Sequence, residues 1–290
     1  MKWKIASLAI LILGASLFPP SVHAADKANK GLSISPLRQE VKATPGVAKS
    51  GYFSVANYTQ KPMTVDLSVQ QFSVTDYVYD YKFLKPPKYN WVKLRETTVV
   101  IEPGKSKKIY YDVNVPIKTT PGGYYFSLFA STEITGPGLP GIVQAATLLY
   151  LIADGKLVRT SEMQNDTVPF IVTGSEIPYK FDVKNTGNVH FSAYFYGQVE
   201  NLLFGKGQEF GAGQILMPGV IKNIGGAIPS PFWPGIYKVH YGYRVDFADF
   251  NIALTKYVIF IPPWSVVVFV LLLLAGRWQL RRLRNSKKTE

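Results

Sequence analysis

The chain has 290 residues, with 32 Lys and Arg against 19 Asp and Glu, three His and no Cys. That excludes a disulfide scaffold and thiol chemistry, and no zinc site of the usual ligand set can be built from local spacing. The formal charge of +13 is uneven: residues 25–160 hold 17 basic and 10 acidic residues, and residues 161–262 hold 7 and 8, an asymmetry that bears on partners rather than on fold.

The N-terminus places Lys2 and Lys4 before an apolar run from Ile5 to Phe18, then Pro19-Pro20 and Val22-His23-Ala24. This pattern predicts a signal peptide over residues 1–24 with cleavage after Ala24; the alternative is a signal anchor that stays attached. A disulfide-free exported body points to a bacterial, Gram-positive-like surface.

Strand signals follow. Leu32–Ser35 ends at Pro36, which suits an edge strand. Tyr52–Ala56 stops at Asn57. Met63, Val65, Leu67 and Val69 alternate on one face, which predicts burial of that face. Thr97–Ile101 runs into the turn Glu102-Pro103-Gly104-Lys105, and Ile109–Val115 and Tyr124–Ala130 continue the series. A hairpin is expected over Ala145–Thr160, turning at Asp154-Gly155.

The segment Tyr77–Arg95 is the one concentrated feature. It holds six aromatics and five cations in 19 residues, split by Pro86-Pro87. One reading is a wide hairpin whose edge is guarded by Lys. The other is a contact surface made by Tyr77, Tyr79, Tyr81, Lys82, Lys85, Lys88, Tyr89, Trp91, Lys93 and Arg95. Its aromatic faces would stack on sugars and its cations would pair with anionic groups of a cell-wall polymer or acidic glycan. Nucleic acid would suit the same chemistry, but an outward location argues against it.

The grammar then repeats. Pro178–Asn185 parallels the strand ending at Asn57, and Pro234–Val239 parallels Pro121–Phe126. Gly205–Gly213 lacks the ending of a phosphate loop and is expected to be a hairpin loop. Short strands separated by turn signals predict two β-sandwiches, over residues 25–172 and 173–257, with Val65, Leu67, Val113 and Val183 facing inward.

Tyr257–Gly276 carries no charge over twenty residues. A transmembrane helix is expected over 258–280. Its regular part, Trp264–Leu280, would be about 26 Å long at ~1.5 Å per residue. Arg277, Arg281, Arg282, Arg284, Lys287 and Lys288 follow against one acid, Glu290, so the tail, 281–290, is expected inside and the body outside.

Catalytic patterns are sparse. His190 and His240 have no metal-type partner at i+3 or i+4, no Gly-x-Ser-x-Gly elbow exists, and no carboxylate pair stands out. No catalytic residue, metal or cofactor is assigned.

Ser35-Pro36, the strand Gly51–Asn57, the step from Val115-Pro116 to Gly123-Tyr124, and Asn185-Thr186-Gly187-Asn188-Val189-His190 resemble the WxL-interacting protein family of Gram-positive cell surfaces. The resemblance implies an all-β fold of two tandem immunoglobulin-like β-sandwiches followed by one transmembrane α-helix. It implies a first domain that binds peptidoglycan and a second that binds surface or host partners. The expected protein is a non-enzymatic, membrane-anchored binding protein contacting cell-wall polymer or partner surface proteins. The alternatives are a chaperone or assembly factor with a pilus-chaperone-like two-domain body, and a membrane-anchored hydrolase.

Overall fold

The computed structural model describes residues 31–134, 141–201, 205–245 and 250–286. The expected signal peptide and the last four residues of the tail lie outside the described residues.

The first sandwich opens with β1 (Leu32–Ser35), β2 (Arg38–Ala43), β3 (Lys49–Asn57), β4 (Met63–Val74) and β5 (Tyr81–Leu84). It continues with β6 (Val92–Leu94), β7 (Thr98–Ile101), β8 (Ser106–Val113), β9 (Gly122–Ile134) and β10 (Gly141–Ala153). One sheet has the order β1-β3-β8-β6 and the other β2-β10-β9-β4-β5, with β7 pairing the start of β4. Alternation sets which side chains meet between them. Phe53, Val55, Val65, Leu67, Ile109, Val113, Phe126 and Leu128 form one buried core, as expected for Val65, Leu67 and Val113. Even-numbered residues of β4 point the other way, so Phe72 and Val74 lie on the outer face of the larger sheet.

The second sandwich contains β11 (Ser161–Thr167), β12 (Ile171–Val172), β13 (Glu176–Asn185) and β14 (Phe191–Asn201). Next come β15 (Gly205–Leu216), β16 (Ile221–Pro229), β17 (Gly235–Val245) and β18 (Phe250–Phe260). Its sheets are β11-β13-β16 and β12-β18-β17-β14-β15. Phe181, Val183, Val239, Tyr241, Tyr243 and Val258 fill the core between them, none of their side chains exposed. Helix α1 (Pro263–Ser286) follows, with Pro263 in the first turn where its missing N–H costs nothing.

Several expectations change. No hairpin turns at Asp154-Gly155: β11 pairs with β13 and β12 with β18, so residues 154–160 are the crossing between sandwiches. The polar strand Ser161–Thr167 finds its ladder on β13, in the sheet β11-β13-β16. Gly205–Gly213 is strand and not loop. A side chain at Gly211 would collide with the Phe195 carbonyl, so glycine there lets β15 lie close against β14. Strand β18 runs to Phe260 and α1 reaches Ser286, which shifts the helix from 258–280 and makes Arg281, Arg282 and Arg284 helical. Asn57, which ends β3, is fully buried with its amide nitrogen donating to Lys61 O and Ile101 O.

Candidate functional site

The ten candidate residues of Tyr77–Arg95 do not form one surface. Tyr89 and Trp91 fold back onto Tyr124, with Trp91 and Tyr124 ring centroids 4.5 Å apart, and they cover the first core. Arg95 makes two hydrogen bonds to Asp112, at 3.0 and 2.7 Å, and holds that carboxyl down at about 2. Lys88 lies 5.4 Å from the Tyr89 ring. Lys82, Lys85 and Lys93 are exposed. The chain changes sheets between β5 and β6, which is why neighbours in sequence part company.

Tyr77 and Tyr79 go elsewhere. Both have left-handed backbones, φ 64° and 66°, a conformation that costs a tyrosine energy and needs support. The second sandwich supplies it. Tyr77 N–H donates to Ile221 O at 2.6 Å, Ile221 N–H to Asp76 Oδ1 at 2.7 Å, and Met217 N–H to the Tyr79 hydroxyl at 2.6 Å. Burial pushes the Tyr79 phenol up to about 12.

A second clamp lies on the other side of the seam. Asn188 donates from Nδ2 to Pro121 O, and its carbonyl accepts from Gly123 N–H at 2.8 Å. The Tyr125 hydroxyl accepts from His190 N–H at 3.1 Å and sits 3.2 Å from Nδ1, while Nε2 sits 3.3 Å from Glu40. A neutral imidazole satisfies all three contacts, and burial lowers the His190 pKa. Between the clamps Phe72, Tyr125 and Tyr150 pack with Met217.

Beside this packing is a cleft of about 370 Å³. Leu37, Leu148 and Tyr150 line it from the first sandwich, and Ile215 and Met217 from the second. Tyr79 and Tyr81 are the two candidate residues that reach it. Arg38 and Lys222 are its charged lining residues and there is no acid among them. Arg38 Cζ stands 5.7 Å from the Tyr150 ring centre and Lys222 Nζ 4.0 Å from that of Tyr79. Burial holds the Lys222 ammonium below the ordinary lysine range. Apolar walls with two cations suit a carboxylate or similar anion on an apolar segment.

The cleft continues into an open strand edge. Strand β2 pairs with β10 only from Leu148 to Ala153. Gly141–Thr147 is bonded to β9 on one side, and no described strand pairs with it on the other. Leu148 N–H donates to Leu37 O at 2.9 Å, so alternation turns the N–H groups of Ile142, Gln144 and Ala146 to that same open side. Arg38, Leu148, Tyr150 and Lys222 have no local sequence signal as a site. Four distant stretches of chain build it.

No protein-family model matches the sequence, and no curated protein sequence does. Solved structures similar to the chain include the class 5 fimbriae chaperone CfaA, at 11% identity over 79% of this chain and 99% of that one, with a TM-score of 0.45. The YadV chaperone is similar at 13% identity over 78% and 99%, with a TM-score of 0.43. The Escherichia coli chaperone DraB is similar at 13% identity over 79% and 96%, with a TM-score of 0.40.

Proposed function

We propose that the protein is a non-enzymatic, membrane-anchored assembly factor of the bacterial surface that holds an extended segment of a partner protein. The observation that carries this is the unpaired edge of β10 leading straight into the cationic cleft. An extended peptide added there gains main-chain hydrogen bonds, and its side chains and end group are sorted by the cleft. A segment running parallel to β10 brings its C-terminal end to Arg38 and Lys222, where a carboxylate is paired. Kinship with the WxL-interacting family belongs to the same proposal. So does the topology, with α1 as the span: its apolar stretch Pro263–Arg281 has 19 residues and none of it is buried.

Gln144→Pro tests the reading. It removes one open-side N–H and leaves the bonds to β9, because those use the alternate residues. Co-purification from crosslinked cells should lose the partner captured by the wild type by about fivefold or more, the worth of ~1 kcal/mol for a hydrogen bond. Gln144→Ala should retain it, and Arg38→Ala with Lys222→Ala should weaken it. Undiminished capture by a folded Gln144→Pro protein would overturn the proposal.

A wall polymer is the second reading. Tyr81 and Phe83 follow one another along exposed β5 with ring centroids 6.2 Å apart and planes 12° from parallel, a stacked pair that leaves an aromatic face for a sugar. Loss of binding to purified walls in Phe83→Ala, with partner capture intact, would favour it.

A further inference from the structure

The end of the second sandwich nearest α1 is apolar in a way that its core does not require. Three eight-residue stretches, 168–175, 229–236 and 257–264, contain no charged residue. They come together in space. Ile259 N–H donates to Phe170 O, Ile261 N–H to Val172 O, and Ser230 N–H to Ser175 O, all within 2.9 Å. The Trp233 carbonyl accepts from the Tyr237 hydroxyl at 2.8 Å. The loop tips are therefore fastened, and yet Phe170, Ile171, Phe232, Trp233, Ile236 and Tyr257 are each more than half exposed. Large apolar side chains held outward in one contiguous patch mark a contact surface.

The chain itself says what covers the patch. Strand β18 ends at Phe260 and α1 begins at Pro263, so two residues join them. Two residues reach at most about 7 Å, comparable to the ~6 Å headgroup layer of one leaflet. A body tied that closely to a span cannot stand clear of the bilayer. The rings are also continuous with the helix: Phe232 stacks on Trp264 at 5.3 Å and 22°, and Trp233 meets Trp264 edge-on at 5.8 Å. Trp and Tyr are the side chains that settle in the interfacial layer.

We propose that this end of the second sandwich is itself embedded in the outer headgroup layer, as an aromatic collar around the base of α1 that holds the body in one orientation. The partner is the lipid interface. The inference rests on α1 spanning the bilayer, and the test separates the two.

Because the chain lacks Cys, single cysteines can be placed in the full-length protein without background. Nitroxide labels at Ile171→Cys, Phe232→Cys, Leu271→Cys and Tyr110→Cys would be read in phosphatidylcholine–phosphatidylglycerol nanodiscs. Relaxation by oxygen against a water-soluble nickel complex reports lipid or water contact. Leu271 serves as the reference inside the span and Tyr110 as the reference on the distant first sandwich. The expected result is an oxygen-to-nickel ratio at Ile171 and Phe232 severalfold above that at Tyr110, approaching that at Leu271. Ratios at Ile171 and Phe232 equal to that at Tyr110, with Leu271 in lipid, would overturn the collar alone. A water-exposed Leu271 would overturn the span and the collar together.

Discussion

Asn57 closes β3 of the first sandwich and Asn185 closes β13 of the second, and the two buried amides make matching bonds. Asn57 Nδ2 donates to the carbonyls of Lys61 and Ile101, and its Oδ1 accepts from Thr59 N–H. Asn185 Nδ2 donates to the carbonyls of Val189 and Leu216, and its Oδ1 accepts from Gly187 N–H. In each case a Pro-Gly turn donates to the asparagine carbonyl, Gly104 at 2.8 Å and Gly219 at 2.9 Å, both glycines in the left-handed region. The surroundings differ. The loop after Asn57 is polar and ends at an open surface around Thr59–Met63. The loop after Asn185 carries Asn188 and His190, which bond to the first sandwich. The comparison teaches that a corner of this kind is a local device, and that the side chains hung on its loop decide whether it becomes an interface.

The largest expected effect falls on the first sandwich alone. Trp91→Ala should lower its stability by about 3 kcal/mol, the lower end for a large aromatic because the indole is half-buried. A denaturant melt that resolves the two sandwiches should show the loss in the first and little in the second. An unchanged melt together with lost ligand binding would return Trp91 to the role of a contact residue.

Asn57→Ala and Asn185→Ala sharpen the comparison. Asn185→Ala strands two buried carbonyls and one N–H. Asn57→Ala strands the Ile101 carbonyl and the Thr59 N–H, the Lys61 carbonyl keeping the Thr59 hydroxyl. The cost is about 2 kcal/mol in each sandwich. Asn185→Ala should also uncouple the sandwiches, because it loosens the loop that carries Asn188 and His190. Limited proteolysis between residues 154 and 160 should then speed up for Asn185→Ala and not for Asn57→Ala. Equal cleavage of both variants would break the distinction.

The smallest effect is a pH dependence at His190. Burial holds its folded pKa below the ordinary value, so above about 6.5 the imidazole is neutral in both states and nothing is lost. As pH falls below about 6.5 the unfolded chain takes the proton first, and stability declines until the folded pKa is passed. The slope is at most about 1.4 kcal/mol per pH unit. Glu40 opposes the decline by favouring the charged ring, while Arg159 and Arg38 add to it. Melts from pH 7.5 to 5 should show this decline in the wild type, and His190→Gln should flatten it. A wild-type curve that parallels the variant would remove His190 from the seam's energetics.

What the sequence determined by itself is whatever repeats at short range. Alternation over Met63–Val69 and Ile109–Val113 placed side chains on the buried face, since a strand turns successive residues to opposite sides. The uncharged run before Arg277 marked the helix, and the asparagine corners were visible as paired strand endings. The candidate site was legible only in part. Tyr79 and Tyr81 stand at the cleft, while Trp91 and Arg95, from the same 19 residues, stabilise the first sandwich. Only the tertiary structure decided that division, because the segment changes sheets at β5 and β6 and pairing partners far away in sequence pull its two halves apart. The cleft likewise exists only once Leu37–Arg38, Val74–Tyr81, Leu148–Tyr150 and Gln214–Lys222 meet, and no local period records a meeting of stretches so distant in the chain.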